Sequence, residues 1–279
     1  MELEAIAWGY RLVEGPRTDA DDNLFFTDAI GGGVFRRSPD GRIDELVPGR
    51  RMVGCLVLHG DGGFIMTGPT VAHWRDGEVR TLLELDGVNS FNDCHTDRSG
   101  RVFVGAIRSN LDDLNAEKTP AECYRINLDG SVEELYDGVE VSNGIGLSPD
   151  GATLYHVDST AKGIITHDLD GSGAVSNRRL IGRPSFERGI PDGMCVDADG
   201  NLWVAHVGGR RVVKLSPNGD ELEAVAVPAK AVTSVAFGGH DMADMYIVTA
   251  DNLDDESRGG TIFRTRPGVR GLPTPPARV

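Results

Sequence analysis

The side chains best suited to chemistry in this 279-residue chain are oxygen donors that open short apolar segments. Glu14 opens Glu14-Gly15-Pro16, Asn92 opens Asn92-Asp93-Cys94, Asn143 opens Asn143-Gly144-Ile145 and Asp192 opens Asp192-Gly193-Met194. Gly54 and Thr233 open two further segments of the same kind. Two carboxylates and two carboxamides make a hard, all-oxygen donor set, which suits Ca²⁺ first and then Mg²⁺ or Mn²⁺, with Zn²⁺ a further candidate. Taken singly, Asn-Gly and Asp-Gly are ordinary turn dipeptides. Their return at one phase of a repeat is what singles them out. A bare carboxylate is costly to bury unless it is paired or coordinates a cation, and no Lys or Arg opens any of these segments.

The elements that carry them repeat. Each segment is followed by a turn and a second apolar run: Leu24-Phe25-Phe26, Phe64-Ile65-Met66, Val102-Phe103-Val104, Leu154-Tyr155, Leu202-Trp203-Val204 and Met245-Tyr246-Ile247-Val248. Between most copies lies a second hairpin signal, as in Asp40-Gly41, Asp76-Gly77, Asp129-Gly130, Asp170-Gly171 and Asn218-Gly219. Two hairpins per period of about 46 residues, six times over, predict an all-β, six-bladed β-propeller with four strands per blade, one domain over residues 1–279. The last strand signal, Thr261 to Arg264, has no fourth partner after it, so Ala5 to Val13 is expected to close the ring in the last blade. The stretch from Pro267 onward reads as a loop-like tail. In a propeller the first strand of each blade lines the central tunnel, which places Glu14, Gly54, Asn92, Asn143, Asp192 and Thr233 around one mouth.

Charge narrows the partners. Forty-three acidic against 28 basic residues give a formal net charge of −15, a field that repels phosphate backbones and anionic lipid. Neither nucleic acid nor a membrane is an expected partner. No apolar run approaches the ~18 residues of a membrane span, and the acidic start Met1-Glu2-Leu3-Glu4 is unlike a secretory signal. A cytoplasmic location is therefore expected. The four cysteines, Cys55, Cys94, Cys123 and Cys195, have no C-x-x-C spacing and read as reduced, mostly buried thiols. The oligomeric state is left open.

Leu12-Val13-Glu14-Gly15-Pro16, Phe91-Asn92-Asp93, Ser142-Asn143-Gly144-Ile145 and, above all, Ile190-Pro191-Asp192-Gly193-Met194 with Leu202-Trp203-Val204-Ala205 carry a resemblance. The chain resembles the senescence-marker-protein, gluconolactonase and luciferin-regenerating-enzyme-like (regucalcin-like) family from its first blade to its last. The resemblance implies a six-bladed propeller that hydrolyses lactones with one divalent cation. It implies Glu14, Asn143 and Asp192 as the metal ligands, Asn92 beside them as a catalytic or substrate contact, and Asp192 in a second role assisting the attacking water. It also exposes two departures. Where sugar-lactone members carry an arginine and an acidic residue, this chain has Ser90 and Asn110, which implies a lactone or related carbonyl substrate with fewer hydroxyls.

Arg108, close by, is the cation that could replace the missing contact, and His206, at the end of a second strand, is a further substrate-binding candidate. Cys94-His95 could pair as nucleophile and base, but neighbouring strand residues point to opposite faces. The longest excursion at this mouth, Arg108 to Glu122 with Asp112, Asp113 and Glu117, is placed to set substrate choice. Trp74 and Trp203 read as packing residues. No G-x-S-x-G elbow or Ser-His-Asp set supports a covalent serine route. The leading function is thus a metal-dependent hydrolase opening a lactone. The alternatives are hydrolysis of a phosphotriester or cyclic diketone at the same metal, or a calcium-binding propeller without catalysis.

Overall fold

A computed structural model describes residues 2–110, 118–187 and 189–279. Short β-branched and aromatic runs, interrupted by turns rich in glycine, form six antiparallel sheets of four strands each, arranged as a six-bladed β-propeller. Blades 1 to 6 have the inner strands Val13–Thr18, Leu56–Leu58, Ser90–Thr96, Ser142–Leu147, Ile190–Val196 and Val232–Gly238. In the first five, the remaining strands follow outward in chain order. Blade 6 takes its outermost strand from the other end of the chain, Glu4–Tyr10 against Gly260–Thr265, paired from Glu4↔Arg264 to Tyr10↔Gly260 with register shifts after Ala5 and Trp8.

That closing strand is shorter than the expected stretch from Ala5 to Val13. Arg11 and Leu12 leave the ladder because their amides donate to the Asp28 carboxylate at 2.9 and 3.1 Å. Val13 then starts the inner strand of blade 1. The turn thus forms between two blades.

Hairpin chemistry follows the residues. Asp76 and Gly77 both take positive φ, 52° and 89°, and join Val71–Arg75 to Glu78–Leu83 as a two-residue turn whose twist matches the strands. Asp170-Gly171 is different: the left-handed residue is Gly173, and the Asp170 carboxylate accepts the amides of Ser172 and Ala174 across a longer loop. Apolar side chains from facing blades make the core, as where Val57 and Cys55 of blade 2 meet Phe91 and Val104 of blade 3. Trp203 is fully buried with its indole N–H donating to Asp197 at 3.0 Å, and Trp74 stacks on Phe64 at 4.8 Å.

The tail is a strap. Leu272 N donates to Val196 O at 3.0 Å, the Thr96 hydroxyl to Pro275 O, Ala277 N to Leu58 O at 2.8 Å and Arg278 N to Gly100 O at 2.9 Å. These partners lie at or just past the far ends of the inner strands of blades 5, 3 and 2. The strap therefore crosses the tunnel end opposite Glu14, Asn92, Asn143 and Asp192, and Ala277 is buried under it. No described helix is long and apolar enough to cross a membrane.

Candidate functional site

The ladder between inner and second strands breaks at one place in three blades. Phe91↔Ala106 is followed by Cys94↔Val104, Ser142↔Asp158 by Ile145↔His156, and Pro191↔His206 by Met194↔Val204. Two inner residues, Asn92-Asp93, Asn143-Gly144 or Asp192-Gly193, thus oppose one on the second strand. Such a bulge bends the strand and re-aims its side chain. In blade 1 the break falls between Glu14↔Thr27 and Arg17↔Phe25, directly after Glu14. Missing Cβ atoms then let the strands converge. A Cβ on Gly54 would lie 2.0 Å from Asn92 Oδ1, and one on Gly144 would lie 2.9 Å from the Asp192 carbonyl oxygen.

Of the four polar side chains along this arc, Asn92 and Asn143 are hydrogen-bonded to each other, and the bonds run on to the residue before Asp192. Asn92 Nδ2 donates to Asn143 Oδ1 at 2.7 Å and to Ser142 O at 2.8 Å. Asn143 Nδ2 donates to Ser159 Oγ at 2.8 Å, and Ser159 Oγ donates to Pro191 O, beside Asp192, at 2.7 Å. Glu14 completes the arc electrostatically. Burial first, and then the charges of Asp192 and Asp93, hold its carboxyl well above the usual carboxylate range. The Asp192 carboxyl is also held well above that range, by burial and then by Asp93. Thr233 instead turns into the wall, where its hydroxyl donates to Val13 O at 2.6 Å and braces the residue before Glu14.

Three carboxylates that the repeat pattern did not single out hold the loops leading into this arc. Asp28 binds the amides before Val13, Asp158 accepts from Glu140 N at 3.1 Å, and Asp251 accepts from Lys230 and Ala231 N at 2.9 and 2.8 Å. Their signal was present in the sequence, as an Asp closing or following the second strand in blades 1, 4 and 6. Arg17 was also missed. It descends into the tunnel, 3.9 Å from Asp93, with Nη1 donating to Pro16 O and Nη2 contacting Cys55 Sγ at 3.3 Å. Burial raises the Asp93 carboxyl and Arg17 opposes that rise.

The remaining candidates flank the arc, His206 as the ladder partner of Pro191 and Ser90 at the start of the strand that carries Asn92. Ser90 is buried and Asn110 is exposed. Arg108 is clasped by both oxygens of Glu122 at 3.0 and 3.1 Å. His206 is fully buried, edge-on to Phe186 at 5.4 Å, and its Nδ1 accepts from Arg211 at 3.2 Å. Cys94 is buried, while His95 faces a chamber of about 90 Å³ between Arg17 and the strap. Burial lowers the His95 pKa to about 4. Asp112, Asp113 and Glu117 lie outside the described residues.

The arc fits a hard cation. Burial and neighbouring negative charge disfavour the ionised forms of the Glu14 and Asp192 carboxyls, and Arg17, the cation beside them, is paired to Asp93. A bound cation would relieve both penalties. Among the described residues no group of three His, Cys, Asp or Glu side chains is arranged to hold a metal, so the carboxamides are needed to complete the set.

A family model described as "SMP-30/Gluconolactonase/LRE-like region" matches residues 12–251. The chain belongs to this family. A relative named regucalcin, from Xenopus laevis, is 33% identical over 279 residues, covering 94% of this chain and 93% of that protein. YvrE of Bacillus subtilis (strain 168), whose name provisionally calls it a sugar lactone lactonase, is 33% identical, covering 85% of this chain and 82% of its own length. The crystal structure of a calcium-binding protein, regucalcin, from Agrobacterium tumefaciens str. C58 superimposes with a TM-score of 0.85 at 22% identity, over 99% of this chain and 97% of that one. At that identity the structural match speaks for the fold alone.

Proposed function

We propose that this SMP-30/gluconolactonase/LRE-like protein is a single-domain lactonase that works with one divalent cation, Ca²⁺ in the first instance, held by Glu14, Asn143 and Asp192. The observation that carries the reading is the juxtaposition of two half-buried carboxyls, each raised by neighbouring negative charge, with a fixed pair of carboxamides. A lactonase-named relative supports the hydrolytic half of it. When bound, the cation would supply Lewis-acid polarisation of the lactone carbonyl and stabilise charge developing on its oxygen. Asn92 orients the substrate or the attacking water through its carboxamide. Asp192 accepts the proton of that water, a role worth about 10²–10⁴ in rate. Excess EDTA should abolish lactone hydrolysis and Ca²⁺ should restore it; unchanged turnover in the chelator would sink the reading.

Substrate choice follows from what the mouth lacks. Ser90 is buried and the Arg108 guanidinium is taken up by Glu122, so neither supplies the cationic contact that sugar hydroxyls would use. We infer that kcat/KM for simple aliphatic or aromatic lactones exceeds that for gluconolactone under one metal condition. Losing that contact gives up discrimination that can reach ~10⁴. A clear preference for gluconolactone would refute the inference.

A further inference from the structure

Between blades 3 and 4 a buried polar chain runs from the outer rim to the arc, and nothing in the proposed chemistry uses it. Tyr136, on the outermost strand of blade 3, Val132–Val139, has its hydroxyl 2.8 Å from His156 Nδ1. His156, on the second strand of blade 4, Thr153–Asp158, has Nε2 2.7 Å from Ser142 Oγ. Ser142 and His156 are both fully buried. Either tautomer of a neutral imidazole closes the chain, because both hydroxyls can donate and accept. Burial keeps that ring neutral, its pKa pushed down to about 3.

The chain is also clamped along its length. Tyr136 stacks on His167 at 4.1 Å under the Arg178 guanidinium, and Arg178 donates to the carbonyls of Asp137 and Gly138 at 2.7 and 2.8 Å. Gly105 of blade 3 makes the space, since a Cβ there would lie 1.9 Å from Ser142 Oγ. Ser142 is where the chain meets the site. Its carbonyl accepts from Asn92 and its peptide leads into the bulge that carries Asn143. Rotation of that one peptide would move both carboxamides.

We propose that Ser142, His156 and Tyr136 form a positioning relay that fixes the Asn92–Asn143 pair. The proposal rests on the lactonase reading for its kinetic consequence but not for its structural one. Three variants test it by crystallography, calcium titration calorimetry and lactone kinetics. His156→Asn can still meet Tyr136 but falls short of Ser142, whereas His156→Gln can reach Ser142. In His156→Asn the carboxamides should separate, with kcat lowered about tenfold and KM changed less, and His156→Gln should recover most of that loss, as with other residues that orient a site's ligands. Ser142→Ala, which removes the hydroxyl alone, should show the same displacement and covers the case in which His156→Asn does not fold. Unmoved carboxamides in the folded variants, or equal effects of Asn and Gln, would overturn the relay. If the carboxamides move as expected while the wild-type protein hydrolyses no lactone, the relay stands and the lactonase reading falls.

Discussion

Asp192→Asn is expected to abolish calcium binding and lower lactone kcat/KM by roughly 10³-fold, through loss of both charge stabilisation and proton acceptance. The same substitution should raise the melting temperature of the cation-free protein. The Asp192 and Glu14 carboxyls are both pushed above their usual range by burial and by neighbouring negative charge, so the folded state binds their protons more tightly than the unfolded state does. The stability they contribute is full below the unfolded carboxyl pKa and is lost as pH rises through the raised folded values. Without a cation, wild-type protein should therefore melt higher near pH 5 than at pH 7. Asparagine keeps the shape and removes one charge, so it should flatten that slope and gain about 2–4 °C for each kcal/mol of repulsion relieved. Saturating Ca²⁺ should reverse the order, stabilising wild type and leaving the variant unchanged. Wild-type calcium affinity in Asp192→Asn, or a lower cation-free melting temperature, would contradict this account.

Deleting residues 1–10 should leave a protein that no longer melts cooperatively. The strand removed is the outermost strand of blade 6, and it ties the two ends of the chain together: Glu4 pairs with Arg264 at 2.6 Å and Glu2 O accepts from Thr265 at 2.7 Å. It also packs against blade 1. Tyr10 meets Phe26 and Phe35 edge-on at 5.0 and 5.2 Å, Arg37 donates to Ile6 O, and Ala7 is buried in the cluster containing Phe26 and Ile262. Each lost ladder bond is worth about 1 kcal/mol net, and packing adds to that, so the total approaches the ~5–15 kcal/mol that holds a typical domain together. The uncovered strand from Gly260 to Thr265 would also offer an open edge for aggregation. Circular dichroism melts with light scattering check this, and a sharp transition within about 4 °C of the full chain would show that the ring does not depend on the closure.

The repeat was legible because turn and apolar run recur at a fixed spacing, and that spacing sufficed for the blade count and the closing strand. The ends of that strand were not, because Arg11 and Leu12 are β-compatible residues drawn away by Asp28, whose influence depends on a contact across blades. The donor residues were visible at one phase, yet their Asn-Gly and Asp-Gly dipeptides look like turns. Only the strand register reveals two residues opposing one, and so explains how these side chains are aimed inward. Arg17 was invisible for a related reason. A buried guanidinium requires a partner, and Asp93 lies far along the chain on another blade. The tail escaped notice because its bonds are isolated bridges from a proline-rich segment, with no alternation to mark them.

That strap turns the tunnel from a passage into a well. With Leu272 and Pro273 lying beyond Arg17 at the far end, whatever enters past Glu14 and Asp192 leaves by the same doorway. A ring-opened hydroxy acid would have to withdraw past the same residues before the next substrate could approach. Traffic in such a dead end is single file: product and substrate exclude each other, so product inhibition should be competitive.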